Sequence, residues 1–199
     1  MSCTNLKTSV SGKTKTLSDL INCYKSSLDK ASTDNRTLYG DLNEVANMKD
    51  SVKSENFLKR CVCHRNCHQQ RLKDDDVDAA VEKLLNNPTI WKQRPKDFEE
   101  LYDCIYNLIG KGKTGISYCT VYDTAIRIGH TLSPAIEPKE FVYVHRKLIQ
   151  SAKHILNKNY VLIANCRIER ESFDKADSAF TQLTSLEIED FLCVCHDRI

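Results

Sequence analysis

The 199-residue sequence has little glycine and proline and no long apolar run. Its 6 Gly and 4 Pro are few for an all-β protein, whose many turns use these residues. No run of about 18 apolar residues is present, so we expect no helix that spans a membrane and no membrane partner. The N-terminal residues carry no apolar run of the kind found in a secretory signal peptide. These absences predict a helical protein of the cytoplasm.

The sequence also lacks the short motifs of several common enzyme classes. It contains no P-loop, no dinucleotide fingerprint, no metalloprotease helix and no Gly-x-Ser-x-Gly elbow. We therefore expect no cofactor, and the chain is more readily interpreted as a binding protein than as an enzyme.

Ten cysteines are present, and eight residues hold a dense Cys/His cluster, Cys-Val-Cys-His-Arg-Asn-Cys-His at 61–68. Without an export signal we expect reduced thiols. Side chains four residues apart share a helical face, so either of two pairs could supply two zinc ligands: Cys63 with Cys67, or His64 with His68. The string Cys-Val-Cys-His recurs at 193–196. Neither segment has the usual two-residue spacing between paired cysteines, which favours buried thiols over a metal site.

The net charge of +2 is unevenly distributed along the chain. Residues 1–73 hold 13 Lys and Arg against 7 Asp and Glu, and residues 111–160 hold 8 against 3. The other two segments are acidic. Residues 74–110 hold 4 Lys and Arg against 9 Asp and Glu, and residues 161–199 hold 4 Lys and Arg against 8 Asp and Glu. A basic segment can bind along the phosphate backbone of a nucleic acid, although a solvated helix face can have the same composition.

Apolar residues at helical spacing predict an all-α fold, an orthogonal helical bundle with an N-terminal helical extension. We divide the chain into a flexible tail over 1–16, a helical hairpin or extension over 17–73, and a helical core domain over 74–199. The pattern favours helices at 18–30, 77–85, 98–110, 118–128, 139–157, 172–183 and 185–197. Because no glycine or proline follows Gly40, it also allows one long helix over 38–72.

The most informative stretch lies between two of these helices and reads Leu-Ile-Gly-Lys-Gly-Lys-Thr-Gly-Ile-Ser-Tyr at 108–118. It resembles a helix-hairpin-helix, in which a Gly-hydrophobic-Gly turn exposes backbone N–H groups at the start of the second helix. Such donors, with the positive helix end, hold a phosphate without contacting a base. Gly115 and Ser117 occupy the two glycine positions, with serine replacing the second glycine. Lys111 and Lys113 lie beside the turn.

The resemblance extends to the helix-hairpin-helix DNA glycosylases over about residues 98–155. In that family the hairpin precedes a Val-Asp-Val/Thr-His segment, which Val-Tyr-Val-His at 142–145 matches. The catalytic Asp would fall on Tyr143, whose phenol cannot act as a carboxylate at neutral pH. The lysine of lyase-type members would fall near Cys119. The resemblance therefore implies the scaffold without the standard chemistry.

We therefore expect sequence-independent DNA binding, with one phosphate held at the turn and its neighbours held by basic side chains. The binding residues predicted are Lys111, Lys113, Gly115, Ser117, Arg146 and Lys147. Two alternatives stay open. One is a helical protein-interaction module in which residues 17–73 pair with a partner or a second copy. The other is a glycosylase-like enzyme with a non-standard site formed by Tyr143, His145 and Asp123.

Overall fold

The computed structural model describes residues 16–48, 54–63, 72–87, 90–91, 94–110, 116–145, 148–157, 162, 166–197 and 199. These residues are mostly helical, which confirms the predicted all-α class. None of the helices in these ranges is long and apolar enough to cross a membrane. The described residues form two compact units, one within 1–29 and 138–199 and the other within 30–137.

The helices, in chain order, are α1 (Leu17–Ser27), α2 (Leu38–Ala46), α3 (Glu55–Val62), α4 (Asp74–Leu85), α5 (Phe98–Ile105), α6 (Tyr118–Thr131), α7 (Leu148–Leu156), α8 (Arg170–Ala176) and α9 (Ser185–Cys195). A π-helical turn, Tyr106–Gly110, continues α5, and a 3-10 turn, Ser178–Gln182, follows α8. Strands β1 (Phe141–Tyr143) and β2 (Arg167–Glu169) pair antiparallel, with Val142 opposite Ile168.

Three of the predicted helices are wrong in extent. The helix over 172–183 is α8 followed by the 3-10 turn, because Asp177 between them is extended. The long helix over 38–72 is instead α2 and α3, because α2 ends at Ala46 and Ser54 caps a new helix by accepting from the Phe57 N–H. The helix over 139–157 is β1 followed by α7. Val144, just beyond β1, donates its N–H to the Cys166 carbonyl. Backbone partners distant in sequence thus override the helical periodicity of this segment.

Helix α6 continues to Thr131, beyond the predicted end at 128, so Gly129 lies within its last turn. The Gly129 carbonyl accepts from the N–H groups of Leu132 and Ile136. A Cβ at Gly129 would collide with the Ile136 carbonyl. The glycine therefore permits the returning chain to lie against the last turn of α6, a role in packing rather than in capping.

The division into units also differs from the predicted segments 17–73 and 74–199. Helix α1 packs on α9 and on the 3-10 turn, within residues 1–29 and 138–199. Helices α2 and α3 instead pack on α6, within residues 30–137. The reason is burial, because α1 and α3 each place apolar side chains in the core of their own unit.

Helices α2, α3 and α6 are joined by a network of charges in which Arg127 is buried and Asp41 and Arg60 are half-buried. Asp41 accepts from Arg127 Nε at 2.8 Å and from Arg60 Nη2 at 2.7 Å. Arg60 Nε also donates to Glu44, and Arg127 Nη1 donates to the Cys61 carbonyl, each at 2.8 Å. The Arg127 side chain is only 3% exposed. Removing one partner would leave a buried charge poorly compensated.

We predict that Asp41→Asn lowers the free energy of unfolding by about 3 kcal/mol or more, because two arginines lose their shared carboxylate. Urea denaturation of the variant beside wild type measures this. Glu55→Gln is the matched control, since Glu55 pairs with Lys59 at the surface of the same unit, and we expect it to change stability little. Equal free energies of unfolding for wild type and Asp41→Asn would contradict a stabilising role for the Asp41 carboxylate.

The other unit has an apolar core formed by α1, β1, β2, α7, α8, α9 and the 3-10 turn. Within it the Tyr24 hydroxyl donates to Asp190 at 2.8 Å, which joins α1 to α9. Burial raises the pKa of Asp190, the hydrogen bond from Tyr24 opposes that rise, and the nearby Glu187 carboxylate adds to it. Burial, followed by the charge of Asp190, raises the pKa of Tyr24.

We predict that the raised pKa of Asp190 makes this unit lose stability as the pH rises. The folded unit keeps the Asp190 proton at pH values where the unfolded chain, with a pKa of about 3.9, has released it. The contribution is complete below that value and disappears as the pH passes the folded pKa. Asp190→Asn should flatten the fall in unfolding free energy over the pH range that begins near the unfolded pKa of about 3.9 and extends upward.

Chemical denaturation across this pH range measures the effect, with Glu171→Gln, an exposed acid of the same unit, as the control. If the pH profiles of wild type and Asp190→Asn run parallel, Asp190 does not hold its proton in the folded state.

Candidate functional site

The hairpin-like stretch lies between two packed elements of one unit, the π-helical turn and α6. Gly110 ends the π-helical turn. A Cβ on Gly110 would lie 2.7 Å from Val121 Cγ2 and 2.8 Å from the Tyr106 ring. Glycine therefore lets the end of the turn approach α6 closely. Single π-helical turns are frequent at functional sites. Three predicted phosphate-binding residues, Lys111, Lys113 and Gly115, lie outside the described residues.

Ser117, the fourth of these predicted residues, is the N-cap of α6. Its Oγ accepts from the Thr120 N–H at 3.2 Å and lies 3.1 Å from Thr120 Oγ1. Its φ of −86° and ψ of 162° are ordinary extended values. The serine in the second glycine position therefore satisfies one of the donors that a helix start leaves without an intrahelical acceptor. The backbone at this position does not require the positive φ that favours glycine.

Three tyrosines next to this helix start form a stack that the sequence analysis did not identify. Tyr102 and Tyr106 lie nearly parallel, at 3° with ring centroids 6.3 Å apart. Tyr106 and Tyr118 lie at 15° and 5.4 Å, and their hydroxyl oxygens are 3.2 Å apart. We call Tyr102, Tyr106 and Tyr118 the tyrosine ladder. Its signal in the sequence is the four-residue spacing of Tyr102 and Tyr106, which places them on one helical face.

The tyrosine ladder runs from the core to the surface. Tyr102 is buried, Tyr106 is half-buried and Tyr118 is 44% exposed. Tyr118 is the only aromatic ring among the exposed large apolar side chains of the described ranges. The ladder therefore places one aromatic ring at the surface, beside the start of α6.

The residues of the enzyme alternative fall in different units. Asp123 lies on α6, where its carboxylate accepts from the Cys119 thiol at 3.8 Å. Tyr143 lies in β1 and is 3% exposed, with the Arg167 guanidinium 5.4 Å from its ring centre. His145 follows β1, and its carbonyl accepts from the Ile149 N–H in α7. The basic residues predicted beside it, Arg146 and Lys147, lie outside the described residues.

Comparison with protein-family models, with curated proteins and with solved structures finds no match to this chain. The helix-hairpin-helix interpretation therefore stays a prediction.

The Cys/His cluster is described only in part. Cys63 is the C-cap of α3 and donates its N–H to the Lys59 carbonyl. The other candidate zinc ligands, Cys67, His64 and His68, lie outside the described residues. Within the described part of the chain, no group of three or more His, Cys, Asp or Glu side chains could hold a metal ion.

We predict that Ser117→Ala lowers the free energy of unfolding by about 1 kcal/mol, because the Thr120 N–H loses its acceptor. Ser117→Gly should cost only a few tenths of a kcal/mol, since glycine is tolerated at an N-cap. Thermal and urea denaturation of the two variants measure the difference. If alanine and glycine behave alike, Ser117 does not act as the cap of α6 in solution.

Proposed function

We propose that this protein binds nucleic acid without reading its sequence, through a helix-hairpin-helix-like phosphate clamp at the start of α6. The observation that carries the proposal is the close approach at Gly110 of the π-helical turn and α6, with Ser117 capping α6. In this hypothesis one phosphate meets the positive end of α6, where backbone N–H groups and the helix dipole favour an anion.

The charge of the adjoining sequence supports the proposal. Residues 111–122 contain two lysines, Lys111 and Lys113, and no acidic residue; the first carboxylate on α6 is Asp123. Two cations beside a helix start favour a polyanion, and such binding is strongly dependent on salt. Arg146 and Lys147 would hold neighbouring phosphates. Contacts of this kind fix position on the backbone and carry no sequence information.

The chemistry proposed is binding without catalysis. By the resemblance, the catalytic Asp of the glycosylases would fall on Tyr143, and a tyrosine phenol is ordinarily protonated at neutral pH. A protonated phenol cannot supply the negative charge that stabilises an oxocarbenium ion. No cofactor is needed for this function.

We predict that wild type binds fluorescently labelled DNA with an affinity that falls steeply as salt rises, and that Lys111→Glu/Lys113→Glu weakens binding roughly tenfold or more. The slope of log affinity against log salt should become smaller in magnitude by about 2, one for each lysine that no longer neutralises a phosphate. Fluorescence anisotropy over a salt series, with duplex and single-stranded probes, measures both quantities.

The matched control is Lys13→Glu/Lys15→Glu, which makes the same change in net charge at the same Lys-x-Lys spacing in the N-terminal segment. We expect this control to bind as wild type does. Equal losses in both double variants would mean that overall charge, and not the hairpin, drives binding. No binding by wild type at low salt would exclude the proposal, and the alternative of protein interaction through residues 17–73 would then be tested by concentration-dependent assembly.

A further inference from the structure

Helix α1 lies far along the chain from the elements on which it packs. It belongs to the unit within residues 1–29 and 138–199, so the chain leaves that unit after α1 and returns to it only after forming the other unit. The surface that α1 covers is formed by α9 and the 3-10 turn. We call this surface the α1 groove. The groove can receive the helix whether or not one chain supplies both.

Polar and apolar contacts together hold α1 in the α1 groove. Ser18 Oγ donates to both carboxylate oxygens of Asp177, at 3.0 Å each, and the Tyr24 hydroxyl donates to Asp190 at 2.8 Å. Ile21, on the same helix, is completely buried. The two hydrogen-bonded pairs are 159 and 166 positions apart in the sequence. Their free energy therefore depends on the fit of the helix in the groove and not on a local connection between them.

The ends of α1 are stabilised by residues of their own segment. Thr16 and Asp19 form a capping box, in which the Thr16 side chain accepts from the Asp19 N–H and the Asp19 carboxylate accepts from the Thr16 N–H. Asp19 lies in the first turn and Lys25 in the last, where each charge interacts favourably with the helix dipole. These contacts accompany the helix wherever it docks, so α1 can move between two grooves as one element.

The connection from α1 to the other unit is short and extended. The Asn43 amide donates to the Lys30 and Ser32 carbonyls, at 3.0 Å each, so the chain is attached to the other unit from Lys30 onward. Two residues, Leu28 and Asp29, therefore link α1 to that unit. Leu28 has a φ of −71° and a ψ of 121°, which are extended values. Short connections favour exchange of a segment between copies, because the segment has little freedom to fold back on its own chain.

We propose that two copies of this chain exchange α1, so that each copy places its helix in the α1 groove of the other. The exchange keeps the contacts of α1 with its groove, and the opposing term is the entropy lost when two chains associate. Because the two exchanged helices are equivalent, the dimer is closed and twofold symmetric. The dimer is therefore expected to form as protein concentration rises.

Cross-linking between two distinguishable chains tests the exchange directly. A chain with Ser18→Cys, labelled with heavy nitrogen, is refolded together with an unlabelled chain that carries Asp177→Cys, and a mild thiol oxidant is then added. The two introduced thiols can form a disulfide only where α1 occupies the groove, because Ser18 Oγ lies 3.0 Å from the Asp177 carboxylate. We expect mass spectrometry to detect a disulfide that joins a labelled peptide to an unlabelled one.

Two controls bracket this measurement. Ser18→Cys/Asp177→Cys in a single chain is the positive control, because one chain then supplies both thiols. Ser26→Cys refolded with Asp177→Cys is the matched negative control. Ser26 is an exposed serine of the same helix, and its hydroxyl donates to the Cys23 carbonyl within α1. We expect this pair to give no linked peptide.

Sedimentation of wild type gives a second readout that needs no cysteine variant. A tenfold rise in protein concentration should raise the dimer-to-monomer ratio about tenfold while monomer predominates. Inserting Gly-Gly-Ser after Asp29 should lower that ratio, since a longer connection lets α1 return to its own groove.

Three results would overturn the exchange. The first is a disulfide in the double variant with none between labelled and unlabelled chains. The second is a wild type that stays monomeric at every concentration. The third is a dimer that the insertion leaves unchanged, which would mean that another surface forms it. None of these measurements involves nucleic acid, so their results do not depend on the proposed function.

Discussion

The unit of residues 30–137 depends on one carboxylate, that of Asp41, placed between two arginines. Arg127 is almost completely buried on α6, and Arg60 reaches the same carboxylate from α3. A buried guanidinium is tolerated only when a charge and hydrogen bonds compensate it, so the network requires α2, α3 and α6 to meet in one arrangement. The contacts of Arg127 thus hold α6 near its C-terminal end. Because a helix is rigid, they also help to position its start, which Ser117 caps.

The opposite end of α6 is held by different contacts, which are aromatic and steric. The lack of a side chain at Gly110 brings the π-helical turn against Val121, and Tyr106 stacks on Tyr118. One helix is thus fixed by a charge network near one end and by close packing near the other. A helix start held in this way presents its dipole and backbone donors in a constant direction, which a phosphate site needs.

The Val-Tyr-Val-His segment at 142–145 folds differently from the helix predicted over 139–157. Strand β1 occupies 141–143, and the following helix is Leu148–Leu156. Tyr143 is enclosed, with the Arg167 guanidinium over its ring. Packing and cation–π attraction both stabilise a buried phenol beside a guanidinium, so Tyr143 has a structural role in its unit.

Local chemistry along the chain is enough to specify the helical class and most helix starts. Asp97 caps α5 and Thr184 caps α9 through hydrogen bonds within four residues, and the apolar spacing of α5 alone identifies its buried face. Other features arise only when the chain folds on itself. The pairing of Val142 with Ile168, the packing of α1 on α9 and the stacking of Tyr106 on Tyr118 join residues that are 12 or more positions apart. No local pattern encodes such contacts, because their free energy arises only when distant segments bury each other's surfaces.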